Sequence, residues 1–351
     1  PPSALIGVHQ VLPHEVRLAY CHQQGIQVAR RITGGGALFM DERQLGWELV
    51  FDRSLFRGSR PGAASFANIS ARICKAAAAG LGRLGIAAEF RPRNDIEVAG
   101  RKLGGTGGIH DGQILFFQGT LLIDFDPSRM SAALKTPAHK LARRDLTEAH
   151  ERVVCLAELL PGALPDTAVI QQALLAGFAE HLDIAPYPGE ITMEEETLAN
   201  ELLRDEIGRD DFVDGIAVPE SGETHLSATL NLDGGAIRAD IRVPDARRAR
   251  IQDILLSGDF FITPPRAVFD LEARLRGAAR GEVSDIITRM FDEGAVECLE
   301  LAPADFCRTV DMAFRQLSID SGGKVLRGHL IGGPARDRPT LVFLHDALGC
   351  T

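Results

Sequence analysis

Arg30-Arg31-Ile32-Thr33-Gly34-Gly35-Gly36-Ala37, answered further along by Arg93-Asn94-Asp95-Ile96 and Gly100-Arg101-Lys102, is the pattern on which the fold reading turns. Three consecutive glycines have no Cβ, so their backbone can approach another group closely and their N–H groups can line an anion nest. Two guanidiniums beside such a turn suit a phosphate or a carboxylate. Lys102 lies between Gly100-Arg101 and Gly104-Gly105, at a strand end rather than on a helix face. An ammonium held there is suited to charge developing on an acyl carbonyl. Read alone, the triplet is equally a structural turn and Lys102 a surface lysine. Asp95 is either a magnesium ligand or a turn residue. The expectation is that the Lys102 ammonium faces a cleft across from the glycine loop.

The 351 residues suggest two domains, and an apolar share of 45% supplies cores for both. The formal charge of −10 disfavours a broad nucleic-acid surface. Cations nevertheless cluster at Arg30-Arg31, at Arg91 and Arg93, at Arg101-Lys102, and at Lys140, Arg143 and Arg144. An acidic protein with one basic cleft fits an anionic small molecule. No apolar run reaches the roughly 18 residues of a membrane span, so no membrane partner is expected. The start, Pro1-Pro2-Ser3, does not read as a signal peptide. It also lacks Met, so the chain is expected to be clipped. The cysteines at 21, 74, 155, 298, 307 and 350 have no metal or disulfide spacing, which points to the cytoplasm.

Strands are expected at 4–8, 26–31, 47–51, 96–98, 114–117 and 120–124. Ser65 should cap a helix with Phe66, Ile69, Ile73, Ala77, Leu81 and Leu84 on one face, weakened at its end by Gly80 and Gly82. Further helices are expected at 147–160, 167–182 and 194–206. His9-Gln10 should line the cleft. His110-Asp111 reads as a hairpin tip rather than a base. Cys21 and His22 diverge on a helix and make no pair. Beyond residue 190, strands at 225–231 and 236–243 flank the hairpin signal Asp233-Gly234-Gly235. A strand at 251–256, a helix opened by Pro264-Pro265 and another at 283–291 complete a small α+β unit. Near the end, Gly332-Gly333-Pro334 and 336–339 read as a linker and 340–345 as a lone strand. That last run resembles the start of an α/β-hydrolase, but no GxSxG elbow exists.

With these residues in view, the chain resembles the lipoate–protein ligases. The Arg30–Ala37 phrase matches their lipoate-binding loop. Arg93–Ile96 with Gly100–Lys102 matches their second motif, and Gly119-Thr120-Leu121-Leu122 the strand that follows. Glu151-Arg152-Val153 stands where the family has a similar phrase. Residues 254–261 and the Pro264-Pro265 helix resemble the ligases' accessory domain. The resemblance implies an α/β fold of α+β type: a biotin/lipoyl protein ligase-like catalytic domain at 1–188, its N-terminal part missing, and an accessory domain at 189–318. Residues 319–351 remain as linker and isolated strand. It also implies lipoate or octanoate as substrate, with ATP and Mg2+. Lys102 would hold the acyl carbonyl. Arg30, Arg31, Thr33, Gly34, Gly35, Gly36, Ala37, Asn94, Asp95, Gly119 and Thr120 would bind substrate or adenylate, and Asp95 is the candidate magnesium ligand.

The chain departs from the family at Met40 and Gln118, where histidines are usual, at Arg43-Gln44 in place of Gly-Asn, and at Gly104-Gly105-Thr106 in place of Ser-Gly-Ser or Ser-Gly-Ala. These changes bear on carrier choice and tunnel shape. The expected partner is a lipoyl-carrier protein: a lipoyl domain, a glycine-cleavage H-like protein or a sulfur-oxidation lipoate-binding protein. Three rivals stand beside ATP-dependent ligation. An ATP-independent octanoyl or lipoyl transferase needs a cysteine nucleophile, and 86–102 contains none. Biotin ligation uses a different glycine-arginine loop. A non-enzymatic carrier-binding protein would tolerate loss of Lys102.

Overall fold

The computed structural model describes residues 1–56, 64–135, 152–160, 162–218, 225–233, 235–244, 250–294, 296–321 and 324–329. The expected elements at 147–151 and 340–345, the basic group Lys140, Arg143 and Arg144, and the glycine-rich linker lie outside the described residues.

A five-stranded antiparallel sheet forms the larger core. Its order is β4 (Gln44–Asp52), β8 (Ile114–Leu122), β7 (Arg101–Asp111), β6 (Asp95–Val98), β5 (Glu89–Arg91). Strand side chains alternate between faces. One face of β8 therefore sends Leu115, Phe117 and Leu121 into the core, beside Leu45, Trp47, Leu49 and Phe51 of β4. The segments expected at 114–117 and 120–124 are one strand, because the alternation runs unbroken through Gln118 and Gly119.

Two helices cover this face. The first, Phe66–Gly82, is capped by Ser65 as expected, its hydroxyl accepting the Asn68 N–H at 3.4 Å. Its stripe of Phe66, Ile69, Ile73, Ala77 and Leu81 is fully buried. The second, Thr167–Leu182, has the expected bounds and crosses the first at Gly80 and Gly177. A Cβ on Gly80 would lie 2.6 Å from the Ala173 carbonyl oxygen, so Gly80 is a crossing point and not merely a weak helix end. The helix expected at 147–160 is corrected. Val153 bridges to Lys102, and the Val154 N–H bonds the Lys102 carbonyl at 2.9 Å. Val153 and Val154 are extended, and within the described residues 152–160 the α-helix is Leu156–Leu159.

A second sheet, β2 (Gln27–Arg30), β1 (Ser3–Ile6), β3 (Leu38–Met40), stands on the other side and carries the glycine loop between β2 and β3. Strands β1 and β2 run parallel.

The remaining core joins β9 (His225–Leu232), β10 (Gly235–Arg242) and β11 (Asp253–Gly258) to helices at Ala267–Leu275, Val283–Glu293 and Pro303–Phe314. On β10, Ile237, Ala239 and Ile241 enter this core as the alternation requires. Asp240, on the opposite face, is also fully buried, because Arg238 and His225 enclose its carboxylate. Strand β11 lies two residues later than expected, since Ile251 donates its N–H to Ala278 instead. The prolines 264 and 265 form a turn before the helix, with Pro264 accepting the Ala267 N–H. The helix expected at 194–206 runs Met193–Leu202 behind a Thr192/Glu195 capping box, then widens over Leu203–Ile207. Residues 316–329 form a hairpin, Gln316–Ser321 pairing with Lys324–His329, so the break expected at 318 falls within a strand. Among the described residues no helix is long and apolar enough to cross a membrane.

Candidate functional site

The site begins at the turn into β7. Ala99 and Gly100 take positive φ, 50° and 77°, and reverse the chain between β6 and β7. Lys102 then pairs with Glu97 across a register shift. Its ammonium lies 2.6 Å from Asp95 Oδ1 and folds back over Gly105, where a Cβ would stand 2.7 Å from Nζ. The side chain is 31% exposed. Asn94 anchors the strand: its carbonyl accepts the Thr106 N–H and hydroxyl at 2.8 and 2.9 Å, and its amide donates to the Thr106 carbonyl. Thr120 donates its hydroxyl to the Gly105 carbonyl at 3.3 Å, and Gly119 packs under Trp47.

Asp95 is not a free turn residue, since it is paired with Lys102. Burial pushes its carboxyl up, but the Lys102 charge and hydrogen bond, with Arg93 and Arg91, outweigh this and hold it below the usual range. Among the described residues no group of three or more His, Cys, Asp or Glu side chains is placed to hold a metal ion. Arg91, Arg93, Lys102 and Arg152 lie within electrostatic reach of Asp95 or Glu97, with Glu89 a third carboxylate beside Glu97 and Asp259 3.9 Å from Arg93. Arg152 Nε is buried without a hydrogen-bond partner.

The facing wall is the glycine loop. Thr33 Oγ1 accepts from Gln118 Nε2 at 3.0 Å, which ties the loop to the face of β8 that carries Thr120. The expectation that Arg30 and Arg31 face an anion is corrected. Arg31 donates to the carbonyls of Leu5, Gly34 and Gly36 and to Thr33 Oγ1. Arg30 donates to the carbonyls of Gly7, Val8, Gln10, Phe212 and Val213. Glycine-rich loops leave many carbonyls unpaired, and a planar guanidinium with five donors satisfies several at once. Burial brings both arginines down to about 10. Arg31 shapes the loop, and Arg30 ties the turn after β1 to Phe212 and Val213. Ala37 packs against the neighbouring core with Phe39.

The glycine loop also meets the second unit. The Gly35 N–H donates to the Phe260 carbonyl at 2.9 Å, and a Cβ on Gly35 (φ +89°) would lie 2.4 Å from Phe261 Cζ. His9, expected at the cleft, is buried beneath Phe260, its ring stacked at 5.1 Å. His110 is not a hairpin tip: it is buried within β7, and the reversal comes at Gly112. Its Nδ1 faces Arg53 at 3.1 Å and its Nε2 faces Glu297 at 3.2 Å. Arginine can only donate, so Nδ1 accepts and Nε2–H donates, which is the neutral imidazole. The sequence does not mark Phe261 or Glu297 as residues that meet the first unit. The phrase Gly258-Asp259-Phe260-Phe261 was visible, but nothing in it says which surface it meets.

Comparison with known proteins follows the geometry. The lipoyl protein ligase A/B catalytic domain family matches residues 1–179. The chain is 26% identical over 261 residues to lipoate-protein ligase LplJ of Bacillus subtilis, covering 74% of each chain. It is 29% identical over 226 residues to octanoyltransferase LipM of Kyrpidia tusciae, covering 58% of this chain and 80% of that one. Among solved structures it is similar to a bipartite lipoate protein ligase of Thermoplasma acidophilum, studied with its E2 lipoyl domain (TM-score 0.53, 27% identity, 63% of this chain and 83% of that one). It is also similar to a lipoate-protein ligase A bound with ATP (TM-score 0.52, 26% identity, 62% and 83%).

Proposed function

Because the chain belongs to the lipoyl protein ligase A/B catalytic domain family and is an enzyme of that kind, we propose that it activates lipoate or octanoate with ATP and transfers the acyl group to a lysine of a lipoyl-carrier protein. The acid's carboxylate attacks the α-phosphorus and pyrophosphate leaves. The carrier's neutral amine then attacks the carbonyl of the acyl-adenylate, AMP departs with the bonding pair, and the amine loses its proton. Lys102 donates to the carbonyl oxygen as charge develops there. Asp95 positions that ammonium. Thr33 and Gly34–Gly36 form the opposite wall, with Asn94, Gly119 and Thr120 holding β7 in place. Asp95 is the carboxylate that would help hold a magnesium ion, which would offset phosphate charge; it would share that ion with its ion pair to Lys102.

The observation that carries this reading is the Lys102–Asp95 pair on a glycine-lined strand, ringed by Arg91, Arg93 and Arg152. The guanidiniums of Arg91, Arg93 and Arg152 suit the phosphates of a triphosphate or an adenylate. The ATP-bound relative and the second α+β unit, which we read as an accessory domain, support ligation over simple transfer. Lipoyl domains tend to be acidic, so docking depends on local cations and weakens with salt. The test is lipoate-dependent exchange of pyrophosphate into ATP, followed by weighing candidate apo-carriers after incubation with ATP, magnesium and lipoate. Mass gain without ATP dependence would remove the ligase assignment.

A second reading has one observation in its favour. Cys155, which lies beyond residues 86–102, is only half-buried and follows Val154, whose N–H bonds the Lys102 carbonyl. It also lies within electrostatic reach of Arg101. An ATP-independent transferase would carry its acyl thioester there. A hydroxylamine-sensitive acyl adduct on Cys155, formed from an acylated carrier without ATP, would favour this reading; a Cys155→Ala variant with full ligation would dismiss it.

A further inference from the structure

Pro92-Arg93-Asn94 closes the hairpin between β5 and β6, whose last pair is Arg91 with Asp95. A hairpin loop of this length uses a residue at positive φ, a place that glycine fills without strain. Here the residue is Arg93, at φ 92°. A side chain keeps such a φ only where its surroundings compensate for it.

The compensating surroundings belong to the second unit. Arg93 Nη2 donates to the Asp259 carbonyl at 2.9 Å, and Nη1 reaches the Asp233 carbonyl at 3.4 Å. Both carbonyls lie at the same end of the β9–β10–β11 sheet, one in the β9–β10 turn and one just past β11. The guanidinium also stands 5.9 Å from the centre of the Phe261 ring. On its other side the hairpin leads directly to the reactive pair. Asn94 follows, its carbonyl accepting the Thr106 N–H at 2.8 Å, and then Asp95, whose Oδ1 holds Lys102 Nζ at 2.6 Å.

Resting on the acyl-ligase reading, we propose that Arg93 is a positioning residue: braced against the second unit, it holds the β5–β6 hairpin in the strained turn that sets Asp95 against Lys102. Alanine at this position keeps the unfavourable φ and loses the brace. The turn then relaxes, Asp95 shifts, and the Lys102 ammonium loses its anchor. Glycine also loses the brace but adopts the φ freely, so the turn persists. A role exerted through the guanidinium charge would not distinguish the two, because both variants remove it.

The experiment follows consumption of preformed lipoyl-adenylate by an apo lipoyl domain in single turnovers, at saturating carrier, with thermal melts of each variant of the full chain alongside. Arg93→Ala should slow the step by about tenfold. Arg93→Gly should stay within about threefold of the unaltered protein. Arg93→Leu against Arg93→Asn repeats the comparison, since asparagine tolerates positive φ, and carries the test if the first pair melts. In an Asp95→Asn background Arg93→Ala should add little further loss, because both changes act through Lys102. If alanine and glycine slow the step equally, or if neither slows it and only the melting temperature falls, Arg93 is a charge or an interface contact and the proposal fails while the ligase reading stands. If the unaltered protein forms no lipoyl-adenylate from ATP, magnesium and lipoate, the ligase reading falls and this role falls with it.

Discussion

Lys102 Nζ and Asp95 Oδ1 stand 2.6 Å apart on adjacent strands, and Gly105 leaves the room that lets the lysine chain fold over to make the contact. An ammonium anchored in this way is preorganised for a developing oxyanion. Lys102→Ala should lower the rate of acyl-adenylate turnover by about 100-fold to 1000-fold. Lys102→Arg should not restore it, because a planar fork cannot replace a point charge folded onto Gly105. Asp95→Asn acts only through Lys102 and should cost roughly tenfold in kcat through mispositioning. Single-turnover quench measurements of acyl-AMP would separate the three; full activity of Lys102→Ala would remove Lys102 from the chemistry.

Glu297 joins the second unit to the first. Its carboxylate accepts from Arg53 at 2.8 Å and from the Phe66 N–H at 2.7 Å, at the N-terminus of the Phe66–Gly82 helix. Burial pushes this carboxyl up, but His110, the Phe66 N–H and Arg53 outweigh it and pull it down to about 2 from 4.5. The folded state thus holds the ionised form more strongly than the unfolded chain. The stabilisation is complete above about pH 5 and is lost as pH falls from 4.5 through 2. Glu297→Ala should destabilise by about 2 kcal/mol at neutral pH. In urea melts the gap to the unaltered protein should close across that acid window; a gap independent of pH would show that the carboxylate charge is not what matters.

His9 also costs stability as pH falls, but from a higher pH and because burial disfavours its charged form. Its Nε2 is buried without a hydrogen-bond partner under Phe260. Burial first, and Arg30 second, bring it down to about 3 from 6.5. The unfolded chain therefore takes up a proton that the folded state refuses, so stability falls as pH drops below 6.5. The slope reaches about 1.4 kcal/mol per pH unit and levels off below 3. His14 is lowered as well, chiefly by burial, and adds in the same direction. His9→Phe keeps the stack and removes the titration, so its stability curve between pH 6.5 and 5 should be flatter than that of the unaltered protein. Parallel curves in thermal melts would rule out His9 as the source.

How much of this was legible beforehand follows from where the information lies. The Ser65-capped helix and β10 were readable because their periods, three to four and two, are written locally in one stretch of chain. Lys102 was readable because glycines around it leave no helix face to occupy. Arg30 and Arg31 were misread, since a guanidinium beside glycines serves equally for phosphates or for the loop's own carbonyls, and only the path of the Thr33–Gly36 loop decides between them. Phe261, Glu297 and Cys155 were invisible as site residues for another reason. Each reaches the site across a large sequence separation, and no local pattern encodes which distant surface a segment will meet.

Gly80 and Gly82 were read alike from sequence as weak points at a helix end, yet the packing separates them. A Cβ on Gly80 would meet the Ala173 carbonyl oxygen at 2.6 Å and the Leu174 Cα at 3.0 Å, both backbone atoms that no rotamer change can move. At Gly82 nothing stands within 4 Å of the same position. Gly80→Ala must therefore push the Thr167–Leu182 helix away and should cost about 1–3 kcal/mol through overpacking. Gly82→Ala meets open space in a helical conformation and should stabilise by about 0.5–1 kcal/mol, the ordinary glycine-to-alanine gain. Denaturant titrations of the two variants should move in opposite directions. Equal shifts would mean that the helix crossing tolerates a methyl group and that backbone contact at Gly80 is not what sets its spacing.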